Sequence, residues 1–198
     1  HTSLQNALSK GAWAYAEGEV AISTNYARPG SKQSYQLAYR YNEAQSFLAI
    51  RLPQGKKRIF VRWWEVRERS GDFPGALDYD WSAEKTIRIR SATIGSTGID
   101  YCLGWEAAGS QRGTSGTDGP GQMVLFGNST ASNGTDLLRV TPGIQRGQWN
   151  MYEVEVNLGT QGQSNGAVRI WVNDKLLGER TNLNLLPRTN ANIEEIWI

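Results

Sequence analysis

The sequence predicts an all-β fold, a two-sheet antiparallel β-sandwich or jelly roll, formed as a single domain over residues 1–198. Three observations lead there. Apolar and polar residues alternate through many short segments, as in "NMYEVEVNLG" (150–159), and successive side chains of a strand point to opposite faces. The 22 Gly, 8 Trp and 8 Tyr, with Ser, Thr and Asn between the segments, suit strands joined by polar turns. Stretches that favour helix are short, and neither an internal repeat nor a linker divides the chain.

Taken in order, residues 3–16 hold one short helix or an irregular arm. Strand patterns then run over 19–23, 34–41 and 46–52, and a long one, "RIFVRWWEVR", over 58–67. Gly71, Pro74 and Gly75 punctuate a turn-rich segment. Residues 84–90, 99–106 and 122–126 resume strands. Between the last two, "AAGSQRGTSGTDGPG" (107–121) has five Gly and reads as a long flexible loop. Residues 150–158 form a strand. "AVRIWV" and "KLLGER" form two more, joined at Asn173-Asp174, a pair that accepts the positive φ of a tight hairpin turn. "IEEIWI" is the last strand.

Several function classes are excluded or disfavoured. The net charge is +2, and the densest basic run is Lys56-Lys57-Arg58, too short to argue for nucleic acid. No apolar segment approaches the ~18 residues of a membrane span. With one cysteine, Cys102, there is no intrachain disulfide, and one Cys with one His does not make a structural zinc site. His1 raises the thought of an N-terminal copper brace, but that site needs a second histidine. A chain starting at His1 reads as a processed form or part of a longer one. The sequons at Asn128 and Asn133 fit a secreted, extracellular protein. Calcium, in a structural role, is the one cofactor left open, with Asp78, Asp80, Asp118 and Asp136 as oxygen donors.

Parity predicts the faces. Val168, Ile170 and Val172 oppose Arg169 and Trp171; Ile87 and Ile89 oppose Arg88 and Arg90; Ile59, Val61 and Trp63 oppose Phe60, Arg62 and Trp64. Placed in one sheet, the polar faces pool Arg62, Trp64, Arg88, Arg90, Glu153, Glu155, Arg169 and Trp171. Indole stacks on sugar C–H faces, and Arg grips a carboxylate through a forked pair, so this set suits a polysaccharide, with Arg62, Trp64, Arg169 and Trp171 as binding residues. The simpler alternative is a cross-strand salt-bridge face, which needs no ligand.

The stretches "IFVRWWEVRE", "EKTIRIRS", "GQWNMYEVEVNLGTQGQSNGAVRIWVNDKLLGERTN" and "IEEIWI" carry a resemblance. They look like concanavalin A-like jelly-roll domains related to polysaccharide lyases of the alginate- and glucuronan-lyase type. The most specific pattern is W-x-x-Y-E-V-x-V-x-L followed by G-x-x-x-I-W-V-[ND]-x-K-L. The resemblance implies a curved sandwich whose concave sheet holds the glycan. It also implies a chemistry in which a uronate carboxylate is neutralised and a Tyr, His or Lys base removes the C5 proton. His1 is the only histidine, and the position after Trp149, where relatives often carry His, is Asn150. Lys85, Tyr101, Arg88 and Arg90 are then the catalytic candidates. Tyr101 shares parity with Leu103, and Lys85 with Ile87 and Ile89, which counts toward the core for both.

Glu153 and Glu155 offer a second catalytic possibility. Their Cα atoms lie ~6.5–7 Å apart by strand rise, near the ~6.5–9.5 Å of inverting glycosidases. Related glucanases carry three acids on one strand, and here the third position is Asn157. The residues therefore leave open a lyase, a carbohydrate-binding module, a glycoside hydrolase using Glu153 and Glu155, and a structural or adhesion domain with a flat ion-paired face. They do not fix the sugar or the oligomeric state.

Overall fold

A computed structural model describes residues 3–11, 13–24, 27–38, 47–66, 84–91, 99–108, 117–127, 136–142, 148–186 and 191–198. One short helix, α1 (Leu4–Ser9), opens the chain; Ser3 caps it by accepting the Asn6 N–H at 3.1 Å. Strands follow: β1 (Tyr15–Glu17), β2 (Glu19–Ser23), β3 (Ser34–Ala38), β4 (Phe47–Lys56), β5 (Arg58–Val66), β6 (Glu84–Arg90), β7 (Asp100–Ala108), β8 (Thr117–Gly127), β9 (Asp136–Val140), β10 (Trp149–Asn157), β11 (Gly166–Val172), β12 (Lys175–Leu183) and β13 (Ile193–Trp197).

These strands make a seven-stranded sheet, β1-β4-β13-β6-β7-β8-β9, and a four-stranded sheet, β12-β11-β10-β5, while β2 and β3 form a separate ribbon. All pairings are antiparallel. The β-sandwich reading is therefore correct. Among the described residues, no helix is long and apolar enough to cross a membrane.

The two sheets share one core. The four-stranded sheet contributes Ile59, Val61 and Trp63, Tyr152, Val154 and Val156, and Val168, Ile170 and Val172. The seven-stranded sheet answers with Ile87, Ile89, Tyr101, Leu103, Met123 and Leu125. Burying each such side chain stabilises the fold by about 1.5–3 kcal/mol. A one-residue slip of β10 would bring Glu153 and Glu155 into this gap, so the register is firmly set. At one side β12 packs on β9; a Cβ on Gly178 would lie 2.6 Å from Val140 Cγ1, so only glycine allows that approach. The Asn173-Asp174 turn has φ of 51° and 64°, as its residue types predict.

Three expectations are corrected. The polar faces do not pool in one sheet: β6 belongs to the seven-stranded sheet and β5, β10 and β11 to the other, so Arg88 and Arg90 face away from the remaining residues across the whole sandwich. Periodicity gives each strand two faces but does not say which sheet it joins. The Gly-rich stretch is partly strand: β7 runs to Ala108, β8 starts at Thr117, and these two residues pair. Ladder hydrogen bonds to a neighbouring strand override weak local propensity there. Tyr101, a catalytic candidate, is fully buried and donates its hydroxyl proton to Leu185 O at 2.8 Å, so it is a core tyrosine.

Tyr101→Phe should therefore lower the unfolding free energy by about 1 kcal/mol, since the Leu185 carbonyl loses a buried donor. Urea denaturation checks this, and an unchanged midpoint would contradict the assignment.

Candidate functional site

Two outer sheet faces carry the polar chemistry. On the four-stranded sheet, register places Arg62, Glu153 and Trp171 in one row and Phe60, Glu155 and Arg169 in the next. Both glutamates are only 4% exposed although they lie on the outer face. They are covered by arginines. Arg62 Nε donates to Glu153 Oε1 at 2.6 Å; Arg58 Nε donates to Glu155 Oε1 at 2.5 Å and Arg169 Nη1 to Glu155 Oε2 at 2.8 Å. Arg169 also bridges to Glu179. Burial pushes the Glu155 carboxyl up, but the hydrogen bonds from Arg169 and Arg58 outweigh it and hold the group below the usual range.

That environment does not suit a hydrolase. A general acid needs a raised pKa, and Glu155 has a lowered one; both carboxylates already accept from guanidinium groups. The acidic stripe of β10 is first of all a cross-strand ion-pair ladder. Around it stand exposed apolar groups: Phe60, Trp64 and Leu176, with the Trp171 ring 5.7 Å from Phe60.

The outer face of the seven-stranded sheet is built around Glu195. This carboxylate is 5% exposed and meets groups from three other strands. Tyr15 of β1 donates its hydroxyl proton to Oε2 at 3.1 Å, Arg51 of β4 donates from Nε to Oε1 at 3.2 Å, and Arg90 of β6 brings Nε to 3.8 Å from Oε2. Trp197, two residues along β13, adds its indole N–H at 3.2 Å. Its ring stacks on Phe47 at 4.1 Å, with the Arg90 guanidinium 4.1 Å and the Arg88 guanidinium 5.1 Å from the ring centroid. Arg88 is locked to Asp100 by a forked pair of 2.7 and 2.5 Å. Arg51, whose side chain is 70% exposed, also lies over the Tyr15 ring at 5.4 Å. Burial and the Glu195 charge raise the Tyr15 phenol above its ordinary value, so it stays protonated at neutral pH.

The predicted residues thus divide between the faces. Arg88 and Arg90 fall on the seven-stranded sheet; Arg62, Trp64, Arg169, Trp171, Glu153 and Glu155 fall on the four-stranded sheet. Lys85 pairs with Gly104, and a register shift between Lys85 and Ile87 takes it out of the strict alternation with Ile87 and Ile89; its side chain lies outside the described part of the structure. Asn150 is buried and accepts from Asn173 Nδ2 at 2.9 Å, so it fastens the β11–β12 turn. Of the calcium candidates, Asp136 is paired with Arg139 at 2.6 Å; Asp78, Asp80 and the side chain of Asp118 lie outside the described residues. Tyr15, Arg51, Glu195 and Trp197 escaped sequence reasoning. The one signal was the broken alternation of "IEEIWI", where a register shift between Ile193 and Glu195 moves the parity of the strand.

Several solved structures with a similar architecture are polysaccharide lyases. The alginate lyase vAL-1 from a Chlorella virus superposes with a TM-score of 0.63 at 15% identity, covering 100% of this chain and 88% of that one. The alginate lyase Aly36B gives 0.56 at 13% identity, over 98% of this chain and 78% of its own. The endo-β-1,4-glucuronan lyase of the fungus Trichoderma reesei gives 0.51 at 12% identity, over 94% and 78%. The chain shares the jelly-roll fold of these structures. No protein-family model and no curated protein sequence matches it.

Within this jelly roll the ion-pair ladder makes a stability prediction. Glu155 has a depressed folded-state pKa, so the stability it adds is fully present above the unfolded value of about 4.3 and is lost as pH falls through the lower folded value. Glu155→Gln should lower the melting temperature at pH 7, with the deficit shrinking as the pH drops below about 4. A deficit independent of pH would contradict the ladder.

Proposed function

We propose that the protein is a polysaccharide lyase acting on a uronate-containing polymer, with its reacting groups on the outer face of the seven-stranded sheet. One observation carries this reading: a phenol, Tyr15, shares a buried carboxylate, Glu195, with two arginines, Arg51 and Arg90, beside a third, Arg88, held by Asp100 against the Trp197 ring, in a chain with the jelly-roll fold of known lyases. β-Elimination needs a cation to neutralise the uronate carboxylate, which acidifies the C5 proton. It also needs a group to move that proton and protonate the leaving oxygen.

Arg51 is the exposed cation of the cluster, its side chain 70% exposed with Nε on Glu195, and it suits the uronate carboxylate. Arg88 and Arg90 are held by Asp100, Glu195 and the Trp197 ring, so they supply fixed positive potential without reorganising. Tyr15 is the proton-transfer group. As the C4–O bond breaks, the phenol gives its proton to the departing oxygen and takes the proton leaving C5, which restores the phenol and leaves a C4–C5 double bond. A raised phenol pKa makes the transient phenolate a stronger base.

The test is incubation with alginate, glucuronan and a neutral glucan while following absorbance at 235 nm and reducing ends. Absorbance growing with a uronate polymer alone supports elimination. Reducing ends without absorbance mean hydrolysis, and retention on polymer without either means a binding module; both overturn the lyase reading. Tyr15→Phe should cut the elimination rate by about 100-fold or more. The parent rate should hold to about pH 10, because Tyr15 stays protonated until its raised pKa is reached.

A further inference from the structure

We infer that the outer face of the four-stranded sheet is a second, non-catalytic binding surface for the same acidic polysaccharide. The inference extends the proposed function and rests on its substrate class. The face is cationic where it meets water. Four arginines, Arg28, Arg58, Arg62 and Arg169, stand there against Glu153, Glu155 and Glu179 among the described residues. Two of those three carboxylates are 4% exposed, whereas the Arg58 and Arg62 side chains are 67% and 55% exposed. At the β5–β10 pairs the negative charge is underneath and the positive charge outside, while at the β12 edge Glu179, 37% exposed, is no deeper than Arg169, so the cationic strip follows β5.

The arginines are also held in place. Arg58 donates to Glu155 through Nε, which leaves its terminal nitrogens outside that hydrogen bond on a side chain that is largely exposed. Arg62 is fixed by two contacts to Glu153 Oε1. A guanidinium already ordered by a buried carboxylate loses little side-chain entropy when it takes a ligand carboxylate.

Apolar rings complete the surface. Phe60 is 55% and Trp64 41% exposed, and register sets them about 13 Å apart along β5, four residues at strand rise. Trp171 leans toward Phe60 across β10, and Arg28 lies over the Trp64 ring at 4.7 Å. A linear, repeating anion with apolar ring faces matches rings and cations spaced along one strand; a neutral glucan lacks the charge. Because the two sheets lie back to back, one polymer-binding face works while the other performs chemistry.

Affinity electrophoresis through gels containing alginate or dextran tests this, in a Tyr15→Phe background so that the gel stays intact. The parent should be retarded by alginate alone, and salt should relieve the retardation. Phe60→Ala with Trp64→Ala should weaken apparent affinity for alginate about tenfold, the scale of two lost ring contacts. In the Tyr15-intact protein, the same pair of substitutions should leave turnover of a short uronate oligosaccharide unchanged. Equal retention of parent and double variant, equal retardation in dextran, or no retardation of the parent would overturn the inference. So would a parent dimer that the double variant converts to monomer, since the face would then be a subunit interface. Elimination at 235 nm is read separately, so a failed lyase reading and a failed binding face give different results.

Discussion

The filled gap between the two sheets constrains everything else. Strand alternation sends one set of side chains into that gap, where Ile170, Val154, Ile89 and Leu103 exclude water, and the other set outward. Four carboxylates among the described residues nevertheless end up buried on outer faces: Glu153, Glu155, Glu195 and Asp100. A buried carboxylate costs several kcal/mol unless it is paired and hydrogen-bonded. Each of these is met by arginine, and that requirement fixes where the guanidinium groups of both faces stand.

The same pairing rule gives the faces different characters. On the four-stranded sheet, carboxylates and arginines alternate across adjacent strands in local register, and the result is a ladder that stiffens the sheet. On the seven-stranded sheet, one carboxylate gathers groups from β1, β4 and β6, three strands far apart in sequence that neighbour β13 or its partner. Glu195 thus converts sheet order into a cluster containing a phenol and cations within reach of one another. Pre-organised charge of this kind is what a reaction passing through a carbanion-like state needs.

The local reading was right where local physics decides. The alternation of β5, β10 and β11, the inward set Val168, Ile170 and Val172, and the Asn173-Asp174 turn are all in the structure as the residue types predict. It failed where long-range pairing decides. Nothing in "EKTIRIRS" says that β6 lies between β13 and β7 rather than beside β5, so Arg88 and Arg90 were grouped with residues on the far side of the molecule. Tyr15 lies on a three-residue strand whose partner is β4, too short for periodicity to register. A register shift in β13 hid the placement of Glu195, because an irregular residue swaps the parity of all that follow.

The most direct test of the reacting face is a structure of the Tyr15→Phe protein with a bound uronate tetrasaccharide. The account predicts a sugar carboxylate within hydrogen-bonding distance of the Arg51 guanidinium and a C5 atom beside the ring of the substituted residue. A tetrasaccharide ordered on the four-stranded sheet alone, with the surroundings of Glu195 empty, would contradict it.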